Sequence, residues 1–337
     1  MQNKVNLLGM TLLQLQELCA AKGFPKFTAR QVCDWLYKKR AESIDAMTNL
    51  SLAQRAHLAE VAYIGREAPV QCQVSRDGTK KYLFDPGIEA VYIPDDDRAT
   101  LCVSCQRGCK MGCRFCVTGR QGFHGHLAAG DILNQLFSIP EFESLTNVVF
   151  MGMGEPMDNL DAVLDACAVL TSDWGLGWSP KRITVSTVGI IPAVKRFLDE
   201  CQCHLAVSLH NAVPQERLAM MPVQKAYPLN QVLALLRQYD WSGQRRLSFE
   251  YTMFRGENDD IGHAAKLVEA LGGLECRVNL IRFHESPEAP YKTSTTLTIN
   301  AFRDYLNRHG VTCTVRASRG QDIDAACGLL AGQRERQ

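Results

Sequence analysis

Three cysteines on one short stretch, Cys109, Cys113 and Cys116, are spaced C-x3-C-x2-C within CVSCQRGCKMGCRFCVTGRQGF, residues 102–123. Thiolates this close in the chain can hold an iron–sulfur cluster, whose irons take cysteine ligands. A [4Fe–4S] cube has four irons, so three protein thiolates leave one iron open to another ligand. A closed structural zinc site is the competing reading, with Cys102 or Cys105 as its fourth ligand. Zinc knuckles are usually two C-x2-C pairs about 15–20 residues apart; Cys102/Cys105 and Cys113/Cys116 both have that spacing but lie much closer together, which favours the cluster.

Other residues carry weaker signals. In Met151-Gly152-Met153-Gly154-Glu155-Pro156 the glycines suit a close backbone approach to a ligand, and Glu155 offers one carboxylate to an ammonium group. By itself the segment reads as a glycine-flanked turn with a stray acid. Ser186, Ser208 and His210 fall at the ends of expected strands, where they can hydrogen-bond a ribose or a carboxylate. A histidine such as His210 is, in isolation, more often a satisfied core residue. Cys327, in the small-residue segment DIDAACG, reads alone as a packing thiol. Glu89, an acid opening an apolar strand, reads alone as surface.

The triplet resembles the signature of the radical S-adenosylmethionine (SAM) enzymes. The wider wording is similar to one branch of them, the RNA adenine-C2 methyltransferases, which act on both 23S rRNA and tRNA. Cys102, Gln106-x-Gly108-Cys109, Thr118-Gly119-Arg120-Gln121-Gly122-Phe123, the Gly152–Pro156 box and Asp322–Gly328 carry the resemblance in order over nearly the whole chain. It implies one [4Fe–4S] cluster on Cys109, Cys113 and Cys116, and two SAM molecules per turnover. It places SAM at Gly154, Glu155, Ser186, Ser208, Leu209, His210 and His284. It makes Cys327 the methyl carrier, Cys102 its disulfide partner and Glu89 the base. It also implies 23S rRNA and tRNA as partners, an electron donor such as flavodoxin, and a monomer.

C2 of adenine is an electron-poor amidine carbon and no nucleophile, which explains why a thiol must carry the methyl group first. The sequence departs from the family at Cys105 (commonly Ser), at Arg107 (usually smaller) and at His284 (usually Asn). No role is assigned to Cys105. Two other readings compete: the C8-methylating branch of the same superfamily, which shares the cluster and both cysteines, and a non-catalytic, metal-stabilised RNA-binding protein, which would need no thiol like Cys327.

The hydrophobic pattern supplies the frame for these residues. Residues 10–60 have helical spacing, and 80–84 and 89–94 pair as strands about Asp85-Pro86-Gly87. Beyond residue 98, expected strands at 99–104, 147–151, 182–186, 203–208, 247–252 and 276–281 alternate with helices at 129–138, 158–171, 190–200, 228–240 and 258–271. A helix near 298–308 and an extended stretch at 311–316 follow. This is an α/β chain whose six β/α units form a partial barrel, with an N-terminal helical accessory domain. The expected boundaries are 1–65 for the helical domain, 66–97 for a β-hairpin linker, 98–317 for the barrel and 318–337 for a tail carrying Cys327. Barrel enzymes build their sites on loops at the carboxyl ends of strands, where the motifs converge without appeal to family.

Composition narrows the class. The 337 residues are 46% hydrophobic and carry a net charge of +1, so a sizeable core is possible and global charge names no partner. Charge is uneven, however. Residues 1–60 hold eight Lys/Arg against five Asp/Glu, and Arg107, Lys110, Arg114 and Arg120 stand in 101–130 without an acid. Such surface suits a phosphate backbone, and a solvated helix face is the plainer alternative. Trp35 and Tyr37 read as packing residues. With no apolar run of membrane-spanning length and no secretory leader, the fourteen cysteines point to a reducing cytoplasm. Cys19, Cys33, Cys72, Cys167, Cys201, Cys203, Cys276 and Cys313 read as small buried residues.

Overall fold

The computed structural model describes residues 4–285 and 289–332. Its chain opens with a short strand, β1 (Val5–Asn6), and two helices, α1 (Leu12–Ala21) and α2 (Thr28–Cys33), the second running into a π turn at Asp34–Lys38. Helix α3 (Leu52–Val61) and strand β2 (Ala62–Tyr63) complete the unit, and β2 pairs in parallel with β1. Thr11 and Ser51 start α1 and α3 with capping boxes, each hydroxyl accepting from the backbone N–H three residues on. The module is helical as expected, and it shares the barrel's apolar core. Tyr37, fully buried, packs against Phe137 and Trp174, and Gln14 Nε2 donates to Asp165 Oδ2 (2.9 Å).

Three antiparallel strands come next: β3 (Gln71–Val74), β4 (Lys80–Phe84) and β5 (Ile88–Asp95). Residues 66–97 are therefore more than a linker. Strand β5 pairs antiparallel with β6 (Arg98–Cys102), the first barrel strand, so these strands extend the barrel sheet. A small hairpin of β7 (Gln106–Gly108) and β8 (Phe123–His126) encloses the one-turn helix α4 (Val117–Arg120). Neither was read from the sequence, because three- and four-residue elements are too short to show a period.

Beyond β8 the strand–helix alternation is as expected, with one additional short helix at Pro214–Met220. The order is α5 (Ala129–Phe137), β9 (Asn147–Phe150), α6 (Leu160–Thr171), β10 (Ile183–Thr187), α7 (Ile191–Glu200) and β11 (His204–Ser208). There follow α8 (Pro214–Met220), α9 (Leu229–Leu236), β12 (Leu247–Met253), α10 (Ile261–Leu271), β13 (Arg277–Arg282), α11 (Thr296–Arg308) and β14 (Thr312–Val315). Among the described residues the large sheet has ten strands in the order β14-β13-β12-β11-β10-β9-β6-β5-β4-β3, parallel from β6 to β14. That is the open, partial barrel of six β/α units.

Local chemistry sets the ends. All seven residues of β12 are buried, so both faces of the strand are covered even though apolar and polar residues alternate along it. Helix α9 stops at Leu236, short of the expected 240, because the Trp241 indole N–H donates to the Leu236 carbonyl (2.8 Å). Asp260 caps α10 and Thr295 caps α11, each accepting from the amide three residues later. Among the described residues no helix is long and apolar enough to cross a membrane.

Candidate active site

A cavity of about 180 Å³ opens at the carboxyl ends of the parallel strands. Its wall includes Cys109, Cys113 and Cys116, so the triplet faces one space. The loop bearing them is closed at its base by the β7/β8 hairpin, where the Cys109 amide donates to the Gly122 carbonyl (2.8 Å). Gly108 sits there with φ +69°, and a Cβ on it would lie 1.9 Å from the Gly122 oxygen, so only glycine fits. Further along, the Arg114 amide donates to Met220 O (3.0 Å) and α4 starts directly after Cys116.

Burial pushes the Cys109 thiol up to about 12 and moves those of Cys113 and Cys116 upward as well. A cation placed among them reverses this, because a coordinating thiol gives up its proton. The donor set fits an iron–sulfur cluster held by three protein thiolates. All three line one cavity, and all three are free thiols.

Arg217 lies beneath the loop, fully buried, and nothing in its sequence context marks it. Its guanidinium donates to Val188 O (3.1 Å), Ser208 O (3.1 Å), Leu209 O (3.1 Å) and Gln224 Oε1 (2.7 Å). It thus ties together the loops after β10 and β11 and brings a positive charge near Cys113. Burial lowers its own pKa to about 10.

The Gly152–Pro156 box follows β9. Gly152 and Gly154 both reach the cavity wall, yet their missing side chains serve the protein's own packing. A Cβ on Gly154 (φ +99°) would lie 2.5 Å from the Gln106 Cβ, and one on Gly152 would lie 2.7 Å from the Ser104 hydroxyl. Glu155 is buried on the wall, with its carboxylate already accepting from Thr187 Oγ1 (2.5 Å), Val188 N (3.0 Å) and Met157 N (3.1 Å). Even so, burial raises its pKa to about 7. It couples the second and third strand ends while facing the cavity.

Ser186, Ser208 and His210 also line the space. His210 Nδ1 accepts from the Thr252 amide (3.0 Å), which leaves the proton on Nε2. Burial lowers its pKa to about 3, so the ring is neutral, and Phe115 meets it edge-on at 4.9 Å.

Cys102 and Cys327 share the same wall. Cys102 ends β6, buried among Val91, Val149, Met153, Ala325 and Leu330, and burial together with neighbouring Cys327 pushes its thiol up to about 12. Cys327 is exposed and arrives on the tail, which is strapped to the cysteine loop. The Val117 amide donates to Gly328 O (2.8 Å) and the Thr118 hydroxyl to Leu330 O (2.7 Å). Arg316, missed in the sequence, stands beside both thiols, and its Nη1 lies 3.5 Å from Glu250 Oε2. Glu250 was legible in principle, as the one acid of β12. Cys105 is buried in the main core and does not line the cavity, so its side chain is separated from Cys102.

Three expected site residues lie off this wall. The Leu209 side chain is fully buried. His284 Nε2 meets Ser318 Oγ at 3.0 Å. Glu89, expected as a surface-like acid, is buried. Its Oε2 accepts from Ala331 N (2.8 Å) and Gly332 N (3.0 Å), and Lys81 Nζ lies 3.5 Å from Oε1. It holds down the tail. Residues 331 and 332 also line a second, polar cavity of about 340 Å³ with Arg107, Gln121 and His124.

The basic residues of the helical module are partly spent on neighbours. Arg30 pairs with Asp173 (2.6 Å), Lys39 with Asp34 (3.5 Å) and Arg40 with Glu143. Trp35 carries Lys39 over its ring and donates to Asn49 Oδ1 (2.5 Å), in keeping with packing. Cys72 is exposed and Cys276 half-buried, unlike the buried positions expected for them.

Comparison with known proteins agrees with this geometry. Residues 5–64 match the model of the ribosomal RNA large subunit methyltransferase N-terminal domain, and residues 103–268 that of the radical SAM superfamily. A Parabacteroides distasonis chain named probable dual-specificity RNA methyltransferase RlmN is 54% identical over 335 residues, covering 98% of both chains. One from Syntrophus aciditrophicus, named dual-specificity RNA methyltransferase RlmN, is 42% identical and covers 98% of this chain and 97% of that one. The crystal structure of a radical SAM methyltransferase from Sphaerobacter thermophilus superposes with a TM-score of 0.90 at 39% identity, covering 98% of this chain and 100% of that one.

Proposed function

The chain belongs to the RlmN family of dual-specificity RNA methyltransferases, in the radical SAM superfamily, and from that premise we propose that it methylates C2 of adenosine in 23S rRNA and in some tRNAs. The observation that carries this reading is the sharing of one cavity by the cluster cysteines, Cys102 and Cys327. Cys109, Cys113 and Cys116 would hold a [4Fe–4S] cluster, which would supply the electron for cleavage of SAM to a 5′-deoxyadenosyl radical.

The protein's own residues do the rest. Cys327 attacks the methyl carbon of a first SAM, forming an S–CH₃ bond and releasing S-adenosylhomocysteine. Arg316 stands beside the sulfur. Loss of one hydrogen atom to the radical derived from a second SAM turns S-methyl-Cys327 into a methylene radical, which adds to C2. The adduct then gives up its C2 proton and one electron, which the oxidised cluster would take back. Glu89 is proposed as the base, a role that requires residues 331 and 332 to leave its carboxylate. Cys102 finally attacks the Cys327 sulfur. The carbon–sulfur bond breaks, the departing carbon takes a proton to become the methyl group, and a Cys102–Cys327 disulfide forms. Two electrons must reduce that disulfide before the next turnover.

SAM is proposed to lie along Gly154, Glu155, Ser186, Ser208 and His210, with Glu155 facing its ammonium group. An electron donor such as flavodoxin, a cytoplasmic location and a monomeric state belong to the same proposal. The test is mass spectrometry of adenosines in 23S rRNA and tRNA from cells with and without the gene. The expected result is 2-methyladenosine only where the gene is present. An 8-methyladenosine product assigns the chain to C8 chemistry instead, and unchanged adenosines overturn the reading.

A further inference from the structure

A second group of thiols stands far from the mouth of the barrel. Cys167 lies in the last part of α6, Cys201 directly follows α7, and Cys203 directly precedes β11. They therefore meet at the amino-terminal end of the strands. Their three sulfurs all lie within 4.8 Å of one another, and all three side chains are buried. We propose that Cys167, Cys201 and Cys203 form a metal site for one soft, closed-shell ion, Zn²⁺ or Cu⁺, independent of the catalytic centre.

The chemistry of the donors selects the class. An all-sulfur set prefers Zn²⁺ and Cu⁺ and discriminates against Mg²⁺, Ca²⁺ and Mn²⁺, which want oxygen. With Zn–S bonds near 2.3 Å, tetrahedral geometry puts sulfur ligands roughly 3.8 Å apart, so the trio needs little contraction. Among the described residues no fourth ligand joins the group. The adjacent His204 already accepts the Arg246 amide on Nδ1 (2.9 Å). The set therefore suits three-coordinate Cu⁺, or Zn²⁺ completed by one small exogenous ligand.

Arg245 provides an independent sign. Its guanidinium donates to Leu198 O (2.9 Å) and to the Cys201 carbonyl, which pins the turn that presents two of the thiols. Its charge acts on both Cys201 and Cys203, while its buried Nε meets no acceptor among the described residues. A cation held beside three sulfurs offsets the negative charge that metal–thiolate binding leaves in a buried place. Each ligating thiol releases its proton to solvent. An ion here joins α6 to the α7–β11 turn at the face of a barrel where residues serve stability rather than catalysis.

The test uses full-length holoenzyme with its iron–sulfur cluster reconstituted anaerobically, so that Cys109, Cys113 and Cys116 are already occupied. One equivalent of Zn²⁺ or, separately, of Cu⁺ is added, the protein is desalted, and metals are counted. The parent should keep about one non-iron ion per chain and melt at a higher temperature with it. Cys167→Ala should lower affinity at least about tenfold and abolish the melting shift, whereas Cys313→Ala, another buried cysteine, should not. Should Cys167→Ala fail to retain its iron, Cys203→Ser takes its place. A variant-free measurement is peptide mapping of thiol alkylation in the parent, where the ion should protect Cys167, Cys201 and Cys203 together. The ion that binds and protects decides between zinc and copper. Retention of neither ion, equal retention by Cys167→Ala and parent, unchanged alkylation, or a disulfide among the three would overturn the proposal.

Discussion

The chain carries two triplets of cysteine at opposite ends of one barrel, and they differ in almost every physical respect. Cys109, Cys113 and Cys116 belong to a single loop and line an open cavity at the carboxyl ends of the strands. Cys167, Cys201 and Cys203 come from two β/α units and crowd into solid core at the amino ends, with their sulfurs nearly touching. The first arrangement leaves room for a bulky inorganic group and a second ligand. The second has room for one ion at most. A barrel holds its reactive residues where loops end and its rigid ones where strands begin, and the two triplets obey that division.

The largest effect should come from breaking the open triplet. Replacing any one of Cys109, Cys113 or Cys116 with Ala should reduce methyl transfer to background and lower bound iron, as read by nucleoside mass spectrometry and iron analysis. Activity that survived the loss of all three would end the comparison.

Next come the thiols that share the open triplet's cavity. Cys327→Ala should give neither methylation nor covalent RNA. Cys102→Ala should stall with RNA joined to Cys327 through a thioether, surviving denaturant and reductant on a gel. Cys105→Ala should behave like the parent, since its side chain packs in the core away from Cys102. Should Cys105→Ala trap RNA while Cys102→Ala turns over, the resolving role belongs to Cys105.

Glu155 permits a graded test of the same cavity. Its pKa, raised to about 7 by burial, means the carboxyl is increasingly protonated as pH falls below 7. A bound ammonium favours the carboxylate, so SAM affinity should be flat above pH 7. Below it, affinity should fall by up to about tenfold per pH unit. Glu155→Gln should bind SAM more weakly at pH 8 and lose the pH dependence, as measured by equilibrium binding to anaerobic holoenzyme. A parent profile that stayed flat down to pH 5.5 would remove Glu155 from the ammonium site.

The closed triplet should respond in stability instead. Without added metal, Cys167→Ala should cost about 1–2 kcal/mol through the cavity it leaves. Urea denaturation would measure this, with methyl transfer by the folded protein unchanged. A loss of activity without a loss of stability would connect the two triplets and blur their separation.

The smallest effect concerns RNA contact by the helical module, which should touch neither triplet. Arg30 and Lys39 already face Asp173 and Asp34. Charge reversal at the exposed Lys26 and Lys38 should therefore weaken RNA binding most. Each should reduce the salt slope by about 0.7, with RNA-independent SAM cleavage intact. An unchanged slope would leave this face merely solvated.

What could be read from the chain alone was whatever lies close along it. The loop triplet declares itself because its cysteines are neighbours in sequence. The six strands declare themselves because they are short segments rich in β-branched and aromatic residues, set between helices that repeat their own period. Topology alone then brought Glu155, Ser186, Ser208 and His210 to one mouth, since parallel strands present all their carboxyl ends together.

Only the tertiary structure could decide contacts between segments far apart. Cys167 and Cys203 are separated by a helix end, a strand and another helix, and each reads alone as an inert core residue. Arg217 and Arg316 look like ordinary surface cations until packing buries one beneath two loops and sets the other beside Cys102 and Cys327. Glu89 looks like a surface acid until residues 331 and 332 return to bind it. The physical reason is the same in each case. Periodicity and spacing record what a residue's own segment does, whereas burial, charge and coordination depend on which other segment arrives against it.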